Sequence, residues 1–192
     1  MSSDDGELIA RLQSGDLDAL GGLFDRHRLK VYRTALAVAR DPAAAEDITQ
    51  DVFLRLYRNA VRIDRSLPLM AWLYRVTVNL SCTWLARRSR WFAPLEEVVE
   101  RLVSPARLTP EREAERSEEW RVVERAIAGL PVSQRVVLVL YYLNDLSLIE
   151  IAKIVECPVG TVKSRLHYGR ENLRRKLDLG VETLPGVVYE IT

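Results

Sequence analysis

Seven side chains in one short stretch, Thr161, Lys163, Ser164, Arg165, His167, Tyr168 and Arg170, are of the kinds that meet phosphates and base edges. Hydroxyls and rings make single directional contacts, Lys neutralises phosphate charge, and Arg can also grip a guanine edge with two donors. They lie within "CPVGTVKSRLHYGRENLRRKL", Cys157 to Leu177, where six cations stand against one acid, Glu171. A merely solvated helix face usually mixes in more Glu. The chemistry implied is recognition of a duplex groove, with no bond made or broken. A second basic island covers residues 59 to 90, with six Arg against one Asp. There Arg75, Asn79, Arg87 and Arg88 combine with aromatic neighbours, which suits unpaired strands whose bases stack on rings while Arg meets the backbone.

Such side chains need a frame that holds them outward. Val159, Val162, Leu166, Gly169, Leu173 and Leu177 stand at offsets of three, seven, ten, fourteen and eighteen residues from the first, one inward stripe of a helix. Gly169 on that stripe permits close approach of a neighbour. Upstream, "LSLIEIAKIVEC" begins with Ser147 as N-cap and Glu150 three residues on, a capping box. Ile151, Ala152 and Val155 supply the apolar face of a short helix, and Glu156 with Cys157 make a tight connection closed by Pro158. Two short helices joined this way read as a helix-turn-helix. Another helix is expected over Val132 to Leu143, and one before it ends at Gly129.

The N-terminal half is also helical in period. Asp16 to Arg40 places Leu17, Leu20, Phe24, Val31, Ala35 and Val38 on one face. Asp41 caps the next helix, with Pro42 at its first position and an end near Arg58. Ala45, Ile48, Val52 and Leu56 form its core face, while Leu54 points away among Asp47, Gln50, Asp51, Tyr57 and Arg58. A leucine in a polar ring has the make-up of a protein-binding hot spot, although lone exposed leucines are common. The helix from Pro68 to Arg90 is apolar on two faces, Leu69, Trp72, Leu73, Val76 and Leu80 on one and Tyr74, Val78 and Leu85 on the other. Arg75 and Asn79 share a polar wedge between them. Trp72 and Trp84 are read as core.

Between the halves, residues 91 to 120 hold eight Glu against four Arg, with three prolines. Within them Trp91 to about Thr109 reads as a linker with a short helical turn near Leu95 to Val103, and "EREAERSEEW" leads into the next helix. The expected fold is all-α: two small helical domains joined by a flexible linker, the C-terminal one containing the helix-turn-helix. A hydrophobic fraction of 48% excludes disorder throughout. Cys82 and Cys157 lack closely spaced partners, and His27 and His167 complete no zinc site, so no metal or cofactor is expected and the thiols read as buried or spare. No phosphate loop or nucleophile constellation emerges, which disfavours an enzyme, and no catalytic residue is assigned. "MSSDDGELIARLQSGD" is acidic without an apolar h-region, and no run of about 18 apolar residues occurs, so no membrane insertion and a cytoplasmic location are expected.

Three motifs, "AAAEDITQDVFLRLYRN", "LPLMAWLYRVTVNL" and "LSLIEIAKIVECPVGTVKSRLHYGRENLRRKL", resemble in order and spacing the extracytoplasmic-function (group 4) sigma factors of the bacterial sigma-70 family, over roughly residues 10 to 177. The resemblance implies a promoter-recognition subunit of RNA polymerase without catalytic residues. Residues 1–90 would be a region 2-like domain, 91–117 the linker, 118–177 a region 4-like domain and 178–192 a C-terminal tail, either disordered or shielding the basic helix. Asp47, Gln50, Asp51 and Leu54 would face the clamp helices of the polymerase's largest subunit. Minus-ten DNA would meet Arg62, Asp64, Arg65 and Ser66 in the loop Asn59 to Leu67, which captures a flipped base, together with Arg75, Asn79, Arg87 and Arg88. The minus-thirty-five element would meet Thr161, Lys163, Ser164, Arg165, His167, Tyr168 and Arg170. An anti-sigma factor would be a further partner. Thr83 and Ala86 depart from the family, standing where an acid and an Arg are frequent. The rival reading is a conventional helix-turn-helix regulator that binds duplex DNA without being a polymerase subunit.

Overall fold

Asp4, Asp16, Asp41 and Ser147 each cap the start of a helix, and a left-handed residue or a glycine often follows a helix end. The structure, a computed structural model, describes residues 4–65, 67–92, 123 and 125–181, and every regular element among them is helical. Helix α1, Asp5–Gln13, precedes the first helix expected from the sequence. Asp4 caps it by accepting from the Asp5 amide, Asp5 and Glu7 sit in the first turn where the helix dipole favours acids, and Leu8, Ile9 and Leu12 are buried. Its acidic start therefore serves a helix rather than a bare lead. Gly15, at φ 94°, takes a conformation that few side chains tolerate. Asp16 then caps α2, Leu17–Ala39, which ends at left-handed Arg40.

Asp41 accepts from the Ala44 amide at 2.9 Å and caps α3, Pro42–Asn59. A 3₁₀ turn, Ala60–Arg62, leads through the loop into α4, Leu69–Phe92. In the C-terminal half a helical stretch at 125–128 precedes α5, Val132–Leu138, whose last turn opens into a π-helix at Val139–Leu143. Helices α6, Leu148–Ile154, and α7, Val159–Val181, follow. Helix α7 runs past Leu177, so the first four residues read as tail are helical. Ser66, the rest of the tail, and the linker with its turn at Leu95 to Val103 lie outside the described residues, apart from Trp91 and Phe92 at the end of α4.

The N-terminal core joins α1, α2, α3 and one face of α4. Leu23, Val31, Val52, Leu56 and Leu73 are among its fully buried members, and Trp72 and Trp84 pack against it. Burying each such aliphatic side chain contributes roughly 1.5–3 kcal/mol relative to exposure. The other face of α4 explains its second apolar stripe. Tyr74 and Val78, with Val38 of α2, join Val136, Val137, Leu140, Ile151, Val162 and Leu166 in a second cluster belonging to both halves. The two halves, read from the sequence as separate compact units, thus share a core.

Arg135 sits at the middle of that junction with 6% of its surface exposed. One terminal nitrogen donates to the Val38 carbonyl at 2.7 Å, and the other to the Ala128 and Leu130 carbonyls at 2.9 and 3.1 Å. Burial pulls its pKa down from the usual guanidinium range, with Arg40 adding repulsion. Nearby, Asn144 donates to the Thr34 hydroxyl at 2.9 Å, linking the end of the π-turn to α2.

The capping box on α6 is complete. Glu150 accepts from the Ser147 amide at 2.8 Å and hydroxyl at 2.6 Å, while its own amide donates to Ser147 Oγ at 3.3 Å. Ser147→Ala should lower stability by about 1 kcal/mol. A thermal melt should show this as a fall of roughly 2–4 °C, and an unchanged midpoint would mean that the box does not hold α6.

Candidate nucleic-acid interface and docking face

The turn between α6 and α7 is made by Glu156, which adopts φ 51°, and by the Cys157 amide donating to the Ala152 carbonyl at 3.1 Å. This sharp reversal sets α7 across the unit with the expected stripe inward. Val162, Leu166 and Gly169 are buried, and Val159, Leu173 and Leu177 are half-buried. A Cβ added at Gly169 would come within 3.1 Å of Leu138 Cδ1, so the glycine is what lets α5 and α7 pack closely.

On the outer side of α7, Lys163, Ser164, His167, Tyr168 and Arg170 are exposed, while Thr161 and Arg165 are half-buried. Ser164 Oγ donates to the Gly160 carbonyl at 2.7 Å, which leaves its lone pairs facing outward as acceptors. Arg165 lies against Cys157 Sγ at 3.8 Å, and the His167 and Tyr168 rings meet edge to face. Arg170 stacks over both Tyr141 and Tyr142, at 5.4 Å from each ring centre, so this cation already has a partner in its own unit.

The face of α3 that carries Asp47, Gln50, Asp51 and Leu54 is exposed throughout, and the opposite positions Ala45, Ile48, Val52 and Leu56 are buried. Leu54 is 47% exposed and Tyr57 49%, so two apolar side chains stand on a polar surface.

The remaining candidates are spread over two places. Arg62, Asp64 and Arg65 are exposed on the loop, whose backbone is tied by Gln13 of α1 donating to the Ala60 and Ile63 carbonyls at 2.9 and 3.1 Å. Asn79 is exposed on α4 with its carbonyl accepting from Thr83, and among the described residues no hydrogen bond joins its side chain to the loop. Arg75 turns the other way. Its guanidinium donates to the Lys153 carbonyl at 2.7 Å and lies 3.2 Å from the Glu156 carboxylate, at the helix-turn-helix. At the end of α4, Arg87 is exposed, whereas Arg88 pairs with Asp41 at 3.2 Å and lies over Trp84.

Sequence reasoning missed Arg135, Gln13 and the turn contact of Arg75. An Arg set directly against the apolar run "VVLVL", Val136 to Leu140, was the available signal for the first. Among the described residues no three His, Cys, Asp or Glu side chains gather as metal ligands. Burial pushes the Cys82 thiol up, away from the reactive thiolate. No described helix is long and apolar enough to cross a membrane.

The site thus comprises two helical units, one a helix-turn-helix with a cationic outer face and the other with exposed arginines and a leucine in a polar surface. Residues 23–91 match the family described as Sigma-70 region 2, and residues 120–173 match Sigma-70, region 4. The chain is 34% identical over 176 residues to the ECF RNA polymerase sigma factor SigW of Bacillus subtilis, covering 88% of this chain and 94% of that protein. It is also 34% identical over 180 residues to the ECF RNA polymerase sigma-E factor of Escherichia coli, covering 88% and 92%. Among solved structures, CnrH in complex with the cytosolic domain of CnrY superposes with a TM-score of 0.66 at 23% identity, over 91% of this chain and 97% of that one. The sigma factor RpoE from Bartonella quintana, in complex with the anti-sigma factor NepR, gives 0.67 at 21% identity, over 81% and 94%. The chain belongs to the extracytoplasmic-function class of RNA polymerase sigma factors in the sigma-70 family.

Proposed function

We propose that this protein docks on bacterial core RNA polymerase through α3 and reads a promoter with its two halves, the polymerase supplying all the chemistry. Residues 1–90 serve polymerase binding and the minus-ten element, 91–117 connect, 118–177 read the minus-thirty-five element, and 178–192 follow as a tail. The observation that carries the reading is the exposed Leu54 face of α3, which a regulator acting on duplex DNA alone does not require. Asp47, Gln50 and Asp51 rim that leucine, giving an apolar centre with a polar border. The clamp helices of the largest subunit are its expected partner, and an anti-sigma factor competes for the same surfaces. The site of action is the cytoplasm.

In duplex DNA, Lys163 and Arg165 meet phosphates while Ser164 presents an acceptor to an exocyclic amine of adenine or cytosine. Arg75 is bound at the turn between α6 and α7, so its contact with the minus-ten strand requires that pairing with Lys153 and Glu156 to break. Base extraction costs a few kcal/mol, which the loop with Arg62, Asp64, Arg65 and Ser66 must offset.

Purified protein added to bacterial core polymerase should form a stable complex and start transcripts at selected promoters. Tight duplex binding without polymerase, and no complex with it, would favour the conventional regulator instead. Ser164→Ala should shift preference among minus-thirty-five variants by roughly 1–3 kcal/mol. Lys163→Ala should weaken all of them about equally and reduce the salt dependence. A uniform loss with Ser164→Ala would place it on a phosphate.

A further inference from the structure

The loop between α3 and α4 is held by a helix about fifty residues earlier in the chain. Helix α1 reaches it at both ends. At the C-terminal end, the Gln13 amide nitrogen bridges the carbonyls of Ala60 and Ile63. Toward the N-terminal end, a Cβ added at Gly6 would lie 3.5 Å from the Arg65 carbonyl oxygen, so α1 runs alongside the loop's far limb. Backbone oxygens at 60, 63 and 65 therefore turn toward α1, while the side chains of Arg62, Asp64 and Arg65 are exposed.

Helix α1 is itself fixed. Asp5 takes a 2.6 Å ion pair from Arg26 and a 2.9 Å hydrogen bond with His27, both on α2, and Leu8, Ile9 and Leu12 are buried beneath it. Burial pushes the Asp5 carboxyl up, but its contacts with His27 and Arg26 outweigh that and hold it below the usual range. The bridge from Gln13 is thus made by a braced element. Both hydrogen bonds use one amide nitrogen. The Ala60 carbonyl, at the end of α3, also accepts from the Ile63 amide at 3.0 Å, so what Gln13 adds is the tie from that helix end to the Ile63 carbonyl of the loop.

We infer that Gln13 is a positioning residue for base capture: it sets the backbone of the loop before DNA arrives, so that binding does not spend affinity on ordering it. The inference rests on the reading of the loop Asn59 to Leu67 as the element that takes a flipped minus-ten base. Gln13 touches no DNA in this scheme, and it acts only through the carbonyls it holds.

The test uses the protein assembled with core RNA polymerase and a single-stranded oligonucleotide selected by that assembly from a random pool. Abasic replacements are then made at each position in turn. Wild type should lose affinity sharply at one position, which marks the captured base. Gln13→Met, which keeps length but removes the donor, should weaken the intact oligonucleotide about five- to tenfold and leave the abasic one unchanged. Polymerase binding and the melting temperature should stay at wild-type values. Gln13→Glu, which faces two carbonyls with a carboxylate, should lose at least as much. Equal losses on intact and abasic strands, or a lowered melting temperature, would reduce Gln13 to a structural prop and overturn the inference. Full affinity in Gln13→Met, with a clear loss in Arg62→Ala or Arg65→Ala, would overturn it while leaving the loop as the capture site. If no abasic position matters to the wild type, capture by this loop fails first and the role of Gln13 with it.

Discussion

Replacing Arg135 by methionine should destabilise the folded chain by about 3 kcal/mol, because three carbonyls lose a charged donor inside a buried junction. Two effects oppose each other. Each orphaned carbonyl costs roughly 1–3 kcal/mol if water cannot reach it. Against that, the variant no longer buries a charge, and the Nε of Arg135, which is buried with no partner among the described residues, is gone. Methionine is chosen because its unbranched chain fills much of the same space. Lysine should rescue little, since a single ammonium cannot serve three carbonyls set for a planar fork. The measurement is urea unfolding followed by circular dichroism. Wild type should unfold in one transition and the variant in two, since Val38 and Leu130 belong to different halves. A single transition at the wild-type midpoint would mean that the junction does not couple them.

The second large effect is on assembly. Leu54→Arg should weaken binding to core polymerase by at least thirtyfold, which corresponds to about 2 kcal/mol, the scale of a hot-spot residue. Because Leu54 is exposed and its helix is held by Ala45, Ile48, Val52 and Leu56, the melting temperature should not move. Asp51→Ala should lose less, since a rim charge acts more on the rate of encounter than on the bound complex. Titration of labelled protein with core polymerase measures both. Wild-type affinity in Leu54→Arg would remove α3 as the docking face.

What could be read in the sequence was what local chemistry decides. Asp41 before Pro42 announced the start of α3, and Ser147 with Glu150 announced α6, because a cap works within one turn. The inward stripe of α7 was legible from periodicity alone, and Leu54 stood out because it broke the pattern of its helix. Long-range pairing was not legible. The second apolar face of α4 was visible, but its cover, Val136, Val137 and Leu140, lies roughly sixty residues on. Arg135 is not legible as buried because arginine is rarely buried without an acid partner, and here backbone carbonyls take that place. Helix α1 is hard to read because nine residues hold little periodicity. The candidate minus-ten residues were named as one set, yet the structure divides them, with Arg75 turned to the helix-turn-helix and Arg88 tied to Asp41.

The double-faced character of α4 also matters for anyone who cuts the chain in two. A fragment ending at Phe92 keeps its own core but leaves Val38, Tyr74 and Val78 bare along one side. Such a strip favours self-association, and its stickiness would grow with concentration in a way the intact protein need not share. Poor solubility of that fragment would then report the missing half, not a misfolded one.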